Sequence, residues 1–358
     1  MSTEPTWWGN LDPTDDAWHP ASSGTFAEWW YFDARFDPAP AGYALSVAWQ
    51  VQGVAPRPPE PSLRATLFMP DAAPRHLAFT GDPADFAAAQ DACDVRLGPS
   101  WLRGAPPRYE MHVAVEDVTA DLTLTSLTPA WKHWDWHIVS DRGGKSFFAW
   151  TVAVPMGRVA GTLRLGNREL PVTGRGYRDK CWMGGPIFAH FDRWYAGRLH
   201  STCPAPGRGD DVAIVYYVIP SRRFGVRGDF LNACAVFVGG RLAYEVRPET
   251  AGLGQFAMIP DQEARDPVTG RVYPLRQTLE LPEAEHPVIG PITVETEQLA
   301  ARRVLPPADM GWLRRQIARR MIRRATIKYL GTWTAELPGS KRPRRVTGEA
   351  FGEIVYLR

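Results

Sequence analysis

Glu28-Trp-Trp-Tyr-Phe-Asp-Ala-Arg-Phe36 decides the fold class. Aromatic residues dominate the run, and no Gly or Pro interrupts it. In an extended chain Glu28, Trp30 and Phe32 share one face, and Trp29, Tyr31 and Asp33 share the other. Both faces carry large rings. One face is expected to line a wide cavity and the other a packed layer or domain interface; the alternative is a core strand buried on both sides. Similar runs recur at 43–52, 63–69, 109–115, 121–128, 147–154, 158–165, 211–219, 231–238, 242–246 and 292–299. Turn chemistry separates them, as in Asp141-Arg-Gly-Gly144, Leu165-Gly-Asn-Arg168 and Gly239-Gly240. Many short strands joined by such turns predict an all-β fold of antiparallel barrels or sandwiches.

The chain has 358 residues, a length suited to about two domains. Apolar residues make up 44% and charged residues 22%, which excludes a disordered chain. The 33 Pro and 32 Gly are spread without period, which excludes collagen and implies many turns. No apolar run reaches the roughly 18 residues of a spanning helix. Residues 1–16 are acidic and lack an apolar core, so no secretory signal is expected. Cys93, Cys181, Cys203 and Cys234 form no CxxC pair, which suits reduced thiols in the cytoplasm. A net charge of +2 argues against a nucleic-acid partner. The sequence leaves the oligomeric state open.

Tryptophan is as common as phenylalanine, at 15 each, and 13 of the 15 lie at or before Trp194. This places an aromatic-walled pocket in the N-terminal half. Pro204-Ala-Pro-Gly-Arg-Gly-Asp-Asp211 is the best boundary, giving domains 1–205 and 206–358. One basic amphipathic C-terminal helix is expected over 310–330, because Leu313, Ile317, Met321, Ala325 and Tyr329 recur every four residues with arginines between them. Its default placement is across a barrel mouth; peripheral membrane contact through Arg319, Arg320, Arg323 and Arg324 is the other option. A short repeat links Gly161-Thr162 followed by Val172-Thr-Gly with Gly331-Thr332 followed by Val346-Thr-Gly. If real, it means two copies of one β-domain, with Phe351 and Glu353 in the places of Tyr177 and Asp179.

Three stretches carry candidate chemistry. In Trp131-Lys-His-Trp-Asp-Trp-His137, an extended chain puts Trp131, His133, Asp135 and His137 on one face. A His–Asp pair that positions a ring suits this better than a metal, for which a third strong ligand is missing. Phe148 and Trp150 share a face of a following strand. In Gly174-Arg-Gly-Tyr-Arg-Asp-Lys-Cys-Trp182, Tyr177 and Asp179 point the same way, and Arg178 and Lys180 the other. A buried carboxyl beside a phenol in an aromatic pocket is a usable proton donor. A structural Tyr/Asp corner is the plain alternative. No phosphate-cradling loop, Rossmann fingerprint, GxSxG or HExxH occurs.

Glu28-Trp-Trp-Tyr-Phe-Asp33, Tyr177-Arg-Asp-Lys-Cys-Trp182, Phe191-Asp-Arg-Trp194 and Gly348-Glu-Ala-Phe-Gly-Glu353 together resemble the hydroxyneurosporene synthase family. That family comprises the carotenoid 1,2-hydratases and lipocalin-like relatives, among them fungal decalin-forming Diels–Alderases. The resemblance implies two lipocalin-like β-domains and cofactor-free chemistry on a hydrophobic polyene. It implies Tyr177 and Asp179 as one acid pair, with Trp150 matching the Trp of a His-x-Trp pair whose His position holds Phe148. Catalytic Asp179, Tyr177 and Trp150 would then act beside a substrate site of Glu28, Trp30, Trp136, His137, Arg178, Trp182 and Trp194. The outcome would be hydration, cyclisation or isomerisation, with Trp30, Trp150 and Trp182 facing a carbocation. A pericyclase using Arg178 or Lys180 to polarise a carbonyl, or a non-catalytic carrier, are the alternatives.

Overall fold

The computed structural model describes residues 6–37, 42–140, 146–185, 192–202, 211–219, 232–246, 256–281, 288–303, 324–338 and 342–357, with the side chains of 134–140 outside that description. It is built from antiparallel strands. The first twelve are β1 (Gly24–Phe36), β2 (Ala44–Ala55), β3 (Glu60–Met69), β4 (Ala72–Thr80), β5 (Phe86–Ala88), β6 (Cys93–Leu97), β7 (Ser100–Ala105), β8 (Arg108–Val115), β9 (Val118–Ser126), β10 (Trp131–Ser140), β11 (Phe147–Leu165) and β12 (Arg168–Gly184). They form one sheet in the order β4-β3-β2-β1-β12-β11-β9-β8-β7-β6-β5, with β10 paired to β11. The second sheet holds β13 (Arg193–Ser201), β14 (Val212–Val218), β15 (Asn232–Val238), β16 (Arg241–Glu245), β17 (Ala257–Arg265), β18 (Val272–Glu280), β19 (Ile292–Arg303), β20 (Ala325–Leu337) and β21 (Arg344–Tyr356). Its order is β16-β15-β14-β13-β21-β20-β19-β18-β17. Each sheet curls into a half-barrel, the two-domain lipocalin-like β architecture.

The two orders match. The run β4-β3-β2-β1-β12-β11-β9-β8-β7 in the first sheet has the same connectivity as the whole second sheet. The short sequence repeat sits on the corresponding hairpins, β11–β12 and β20–β21. The registers differ under that alignment, since Gly161 faces Val172 whereas Gly331 faces Ala350 and Val346 faces Ala335; Glu353, which the repeat would set in the place of Asp179, is ion-paired with Lys328 at 2.8 Å.

The chain divides into two compact units, Met1–Ile187 with Phe237–Leu242, and Phe188–Val236 with Ala243–Arg358. The strand β13, assigned by sequence to the first domain, pairs with β14 and β21 in the second sheet. The boundary read from the Pro- and Gly-rich stretch at 204–211 sets β13 before it, whereas strand pairing joins β13 to the second sheet. Most of the Pro204–Asp211 stretch lies outside the described residues.

The expected helix over 310–330 is corrected at its end. Residues 304–323 lie outside the described residues, and from Ala325 onward the chain is β20. A four-residue spacing is twice the strand repeat and close to one helical turn, so Ala325 and Tyr329 fit either. β-branched Thr326, Ile327, Thr332 and Thr334 favour the strand. Among the described residues no helix is long and apolar enough to cross a membrane.

The core of the first unit lies on one face of its sheet. Trp30, Phe32, Ala34 and Phe36 of β1 join Leu45, Val47 and Trp49 of β2, all fully or nearly buried. The register explains the grouping, since Trp30 faces Trp49 and Phe32 faces Val47 across the pair. Close approach of backbone sets Gly174 on β12: a Cβ there would stand 2.2 Å from the carbonyl oxygen of Arg35. In the second unit a Cβ on Gly352 would meet the Tyr329 ring at 2.1 Å. That ring joins Tyr216 and Gln277 in a buried hydrogen-bonded group.

Candidate active site

β12 carries two environments on alternate residues. Its partner β1 pairs Asp33 with Tyr177, Tyr31 with Asp179 and Trp29 with Cys181, so these six share one face. The other face holds Phe32 opposite Arg178, Trp30 opposite Lys180 and Glu28 opposite Trp182. The second set belongs to the core face, because Trp30 and Phe32 are core residues. The first set therefore lies on the opposite side of the sheet.

On that side the carboxyl of Asp179 is the focus. Its Oδ2 accepts hydrogen bonds from the Tyr177 hydroxyl at 2.7 Å and from the Trp150 Nε1 at 3.1 Å. Trp150 reaches it because β11 pairs Trp150 with Cys181, and β11 is bulged between Thr151 and Gly157, opposite Lys180 to Gly176. Asp179 is 8% exposed, and Tyr177 and Trp150 are buried. Burial first, and the neighbouring Asp179 carboxyl second, push the Tyr177 phenol well above its ordinary pKa. Tyr177 is thus a donor at any physiological pH. With two donors on Oδ2, a proton on this carboxyl belongs on Oδ1.

Aromatic rings surround the pair. Trp131 packs edge-on against Trp150 at 5.5 Å, Trp29 stacks on Phe148 at 5.7 Å, and Tyr31 meets Tyr177 at 6.2 Å. Trp29 and Tyr31 are half-buried. This ring set, with its negative faces, can stabilise a developing cation next to an acid.

The opposite face of β12 is ionic. The chain enters it through a single 3-10 turn, Pro13–Asp16, capped by Asp12 and started by Pro13. Arg178 grips Asp16 with both terminal nitrogens, at 2.8 and 2.7 Å, and both residues are at most 1% exposed. Asp16 also accepts from the Tyr109 hydroxyl at 2.8 Å, and its carbonyl accepts from Trp30 Nε1 at 3.0 Å. Arg178 lies 4.3 Å over the Tyr109 ring and 2.8 Å from the Cys93 sulfur. Burial opposes the charge on Arg178, but Asp16, joined by Cys93 and Tyr109, outweighs it and holds the guanidinium pKa above its ordinary value. Burial also pushes the Cys93 thiol up to about 12. Lys180 donates to Glu28 and to the Ala17 carbonyl, and stands 4.3 Å over the Trp30 ring. His19 stacks flat on Trp182 at 4.2 Å and bonds Glu28 through its ring and its backbone N–H. Lys132 closes the set with Asp15 at 2.7 Å.

Burial works against the Glu28 carboxylate, yet Lys180 and His19 outweigh it and its pKa lies below the ordinary 4.5. A depressed folded pKa adds stability above the unfolded value, and that stability is lost as pH falls through the folded value. Glu28→Gln is expected to cost about 2 kcal/mol at neutral pH. The gap from the native protein should shrink as pH drops below 4.5. Denaturant melts of both proteins across that range check it, and a gap independent of pH would contradict an ionised pair.

The sequence-expected residues thus fall into separate groups. Asp179, Tyr177 and Trp150 come together. Glu28, Trp30, Arg178 and Trp182 also come together, but on the other face of the sheet. Trp194 lies on β13 in the second sheet, stacked on Tyr217 at 6.0 Å. The side chains of Trp136 and His137 lie outside the described residues. Along this stretch β10 shifts register against β11 between Lys132 and His137. Trp29, Tyr31, Phe148 and Trp131 border the acid pair and were not assigned to it by sequence. The signal was present in the alternation of β1, which separates Trp29 and Tyr31 from Trp30.

No family model matches the chain, and no curated protein sequence matches it. Solved structures do. The putative AttH of Nitrosomonas europaea superposes with a TM-score of 0.67 at 16% identity, over 97% of this chain and 96% of that one. The chain shares its fold. Kievitone hydratase of Nectria haematococca gives 0.56 at 12% identity, over 97% and 92%. CghA in complex with Sch210972 gives 0.55 at 16% identity, over 99% and 97%.

Proposed function

We propose that this chain is a cofactor-free enzyme of the hydratase or cyclase type acting on a hydrophobic polyene or terpenoid. The observation that carries the reading is the convergence of Tyr177 and Trp150 on Asp179 Oδ2 within a face of aromatic rings. Asp179 donates the proton from Oδ1 to the less substituted carbon of an isolated double bond. The cation left on the more substituted carbon faces the rings of Trp29, Trp150 and Tyr31. Water then adds and its proton returns to Asp179, giving hydration; capture by a second double bond of the same chain, with loss of a proton to Asp179, gives cyclisation instead. Arg178 and Lys180 are committed to Asp16 and Glu28 on the opposite face, so neither reaches Asp179 to neutralise it. The same commitment weighs against a pericyclase in which either residue polarises a carbonyl. A hydratase among the proteins of this fold supports the reaction type, and a carotenoid-like substrate remains part of the proposal.

Binding is tested by following Trp emission while candidate polyenes are added. Trp29 and Trp150 lie on the proposed substrate face, so a bound conjugated polyene should quench strongly and saturably. Absence of quenching by every polyene tried would overturn a polyene substrate. Saturable binding with no product from any of them would favour a carrier.

A further inference from the structure

The face that carries Tyr177 and Asp179 also carries an arrangement that the proposed acid does not use. Register places Arg35 of β1 directly opposite Arg175 of β12, and Arg175 directly opposite Arg158 of β11. Residues paired across an antiparallel ladder point to the same side of the sheet, so three arginines stand abreast on three neighbouring strands. Arg175 precedes Tyr177 by two residues and Asp179 by four, so the row shares their face. At about 3.3 Å per residue it lies about 7 Å from the phenol-bearing backbone and about 13 Å from that of Asp179.

Like charges set directly opposite one another destabilise a sheet. Asp33 and Asp37 flank Arg35 along β1; Asp37 accepts from the Thr173 hydroxyl at 2.5 Å, and Asp33 is the ladder partner of Tyr177. Arg175 Nη1 is buried with no hydrogen-bond partner among the described residues. A buried guanidinium nitrogen without an acceptor carries a desolvation penalty that a bound anion would remove. Arg35 and Arg175 are half-buried and Arg158 is exposed, so the row opens to a ligand at one side. Arg175 sits between Gly174 and Gly176, where the chain packs against the Arg35 and Asp33 carbonyls and holds its backbone in place.

We infer that Arg35, Arg175 and Arg158 form an anion subsite that takes the carboxylate or phosphate head of an otherwise lipophilic substrate. Arg175 is its central donor. The inference rests on the reading of this face as the substrate face. It makes the substrate amphiphilic, with its head on the arginine row and its reacting double bond beside Asp179.

Three ligands with one isoprenoid chain test it by calorimetry: farnesol, farnesoic acid and farnesyl diphosphate. A charged member should bind at least about tenfold more tightly than farnesol, and the tighter of the two identifies the head. Arg175→Gln should erase that preference and leave farnesol affinity unchanged, while Arg168→Gln, at the exposed hairpin end of β12, should leave the preference intact. Equal binding of all three ligands overturns the subsite and spares the lipophilic reading. A charged preference that survives Arg175→Gln also overturns it. Binding of the charged members alone, lost in Arg175→Gln, upholds the subsite and sinks the lipophilic reading. Failure of both charged members to bind at low salt overturns the subsite, whatever farnesol does.

Discussion

Asp179→Asn is expected to lower turnover by about 100- to 10,000-fold while substrate binding stays within a few-fold of native. The substitution is nearly isosteric. The amide oxygen of Asn still accepts from the Tyr177 hydroxyl and the Trp150 indole, so the local geometry is kept. What disappears is the acidic proton that Oδ1 would deliver. The measurement is kcat on any substrate found by fluorescence quenching, with quenching itself as the binding control. Unchanged turnover would remove the acid role from Asp179. A joint loss of binding and turnover would mark the Tyr177–Asp179 pair as a structural corner.

The largest effect on stability is expected on the other face of the same strand. Asp16→Ala leaves Arg178 charged, fully buried and stripped of both short contacts, and leaves the Tyr109 hydroxyl without its acceptor. Removing one partner of such a pair costs about 3–5 kcal/mol. Arg178→Met alone strands Asp16 in the same way. The double variant Asp16→Ala with Arg178→Met leaves no orphaned charge, so it should recover a large part of the loss. Urea melts of the three variants give the coupling directly. Additive losses would show that the pair is not coupled and that the environment tolerates either charge alone.

Much of this was legible in the sequence, and the boundary of what was legible has a physical cause. Alternation along Glu28–Phe36 and Tyr177–Trp182 separates the two faces of each strand, and the structure keeps that separation. Alternation says nothing about which face meets the core. Trp30 and Trp182 look as fit to line a substrate site as Trp29 does, and only the strand pairing, with Trp30 beside Trp49 in the core, sets them on the face opposite Asp179. The acid pair was readable because Tyr177 and Asp179 are two residues apart on one strand. Its third member, Trp150, came from a resemblance, because cross-strand register depends on bulges that composition does not announce. The Pro13–Asp16 turn was missed, although Asp12 followed by Pro13 is an ordinary helix-start signal. Its partners Arg178 and Lys180 lie more than 160 residues further on, a separation that no local pattern bridges. The four-residue spacing at Ala325 and Tyr329 misled because it is close to one helical turn and also twice the strand repeat.

The alternation on β12 also limits how its gene can change. Substitution at any one position from Gly176 to Trp182 alters one environment and spares the other. Loss or gain of a single codon there would turn every following side chain through the sheet. Arg and Lys would then stand among the rings, and Asp and Tyr would be driven into the ionic core. Neither half of the strand would find its partners, so this stretch can diverge residue by residue but not in length.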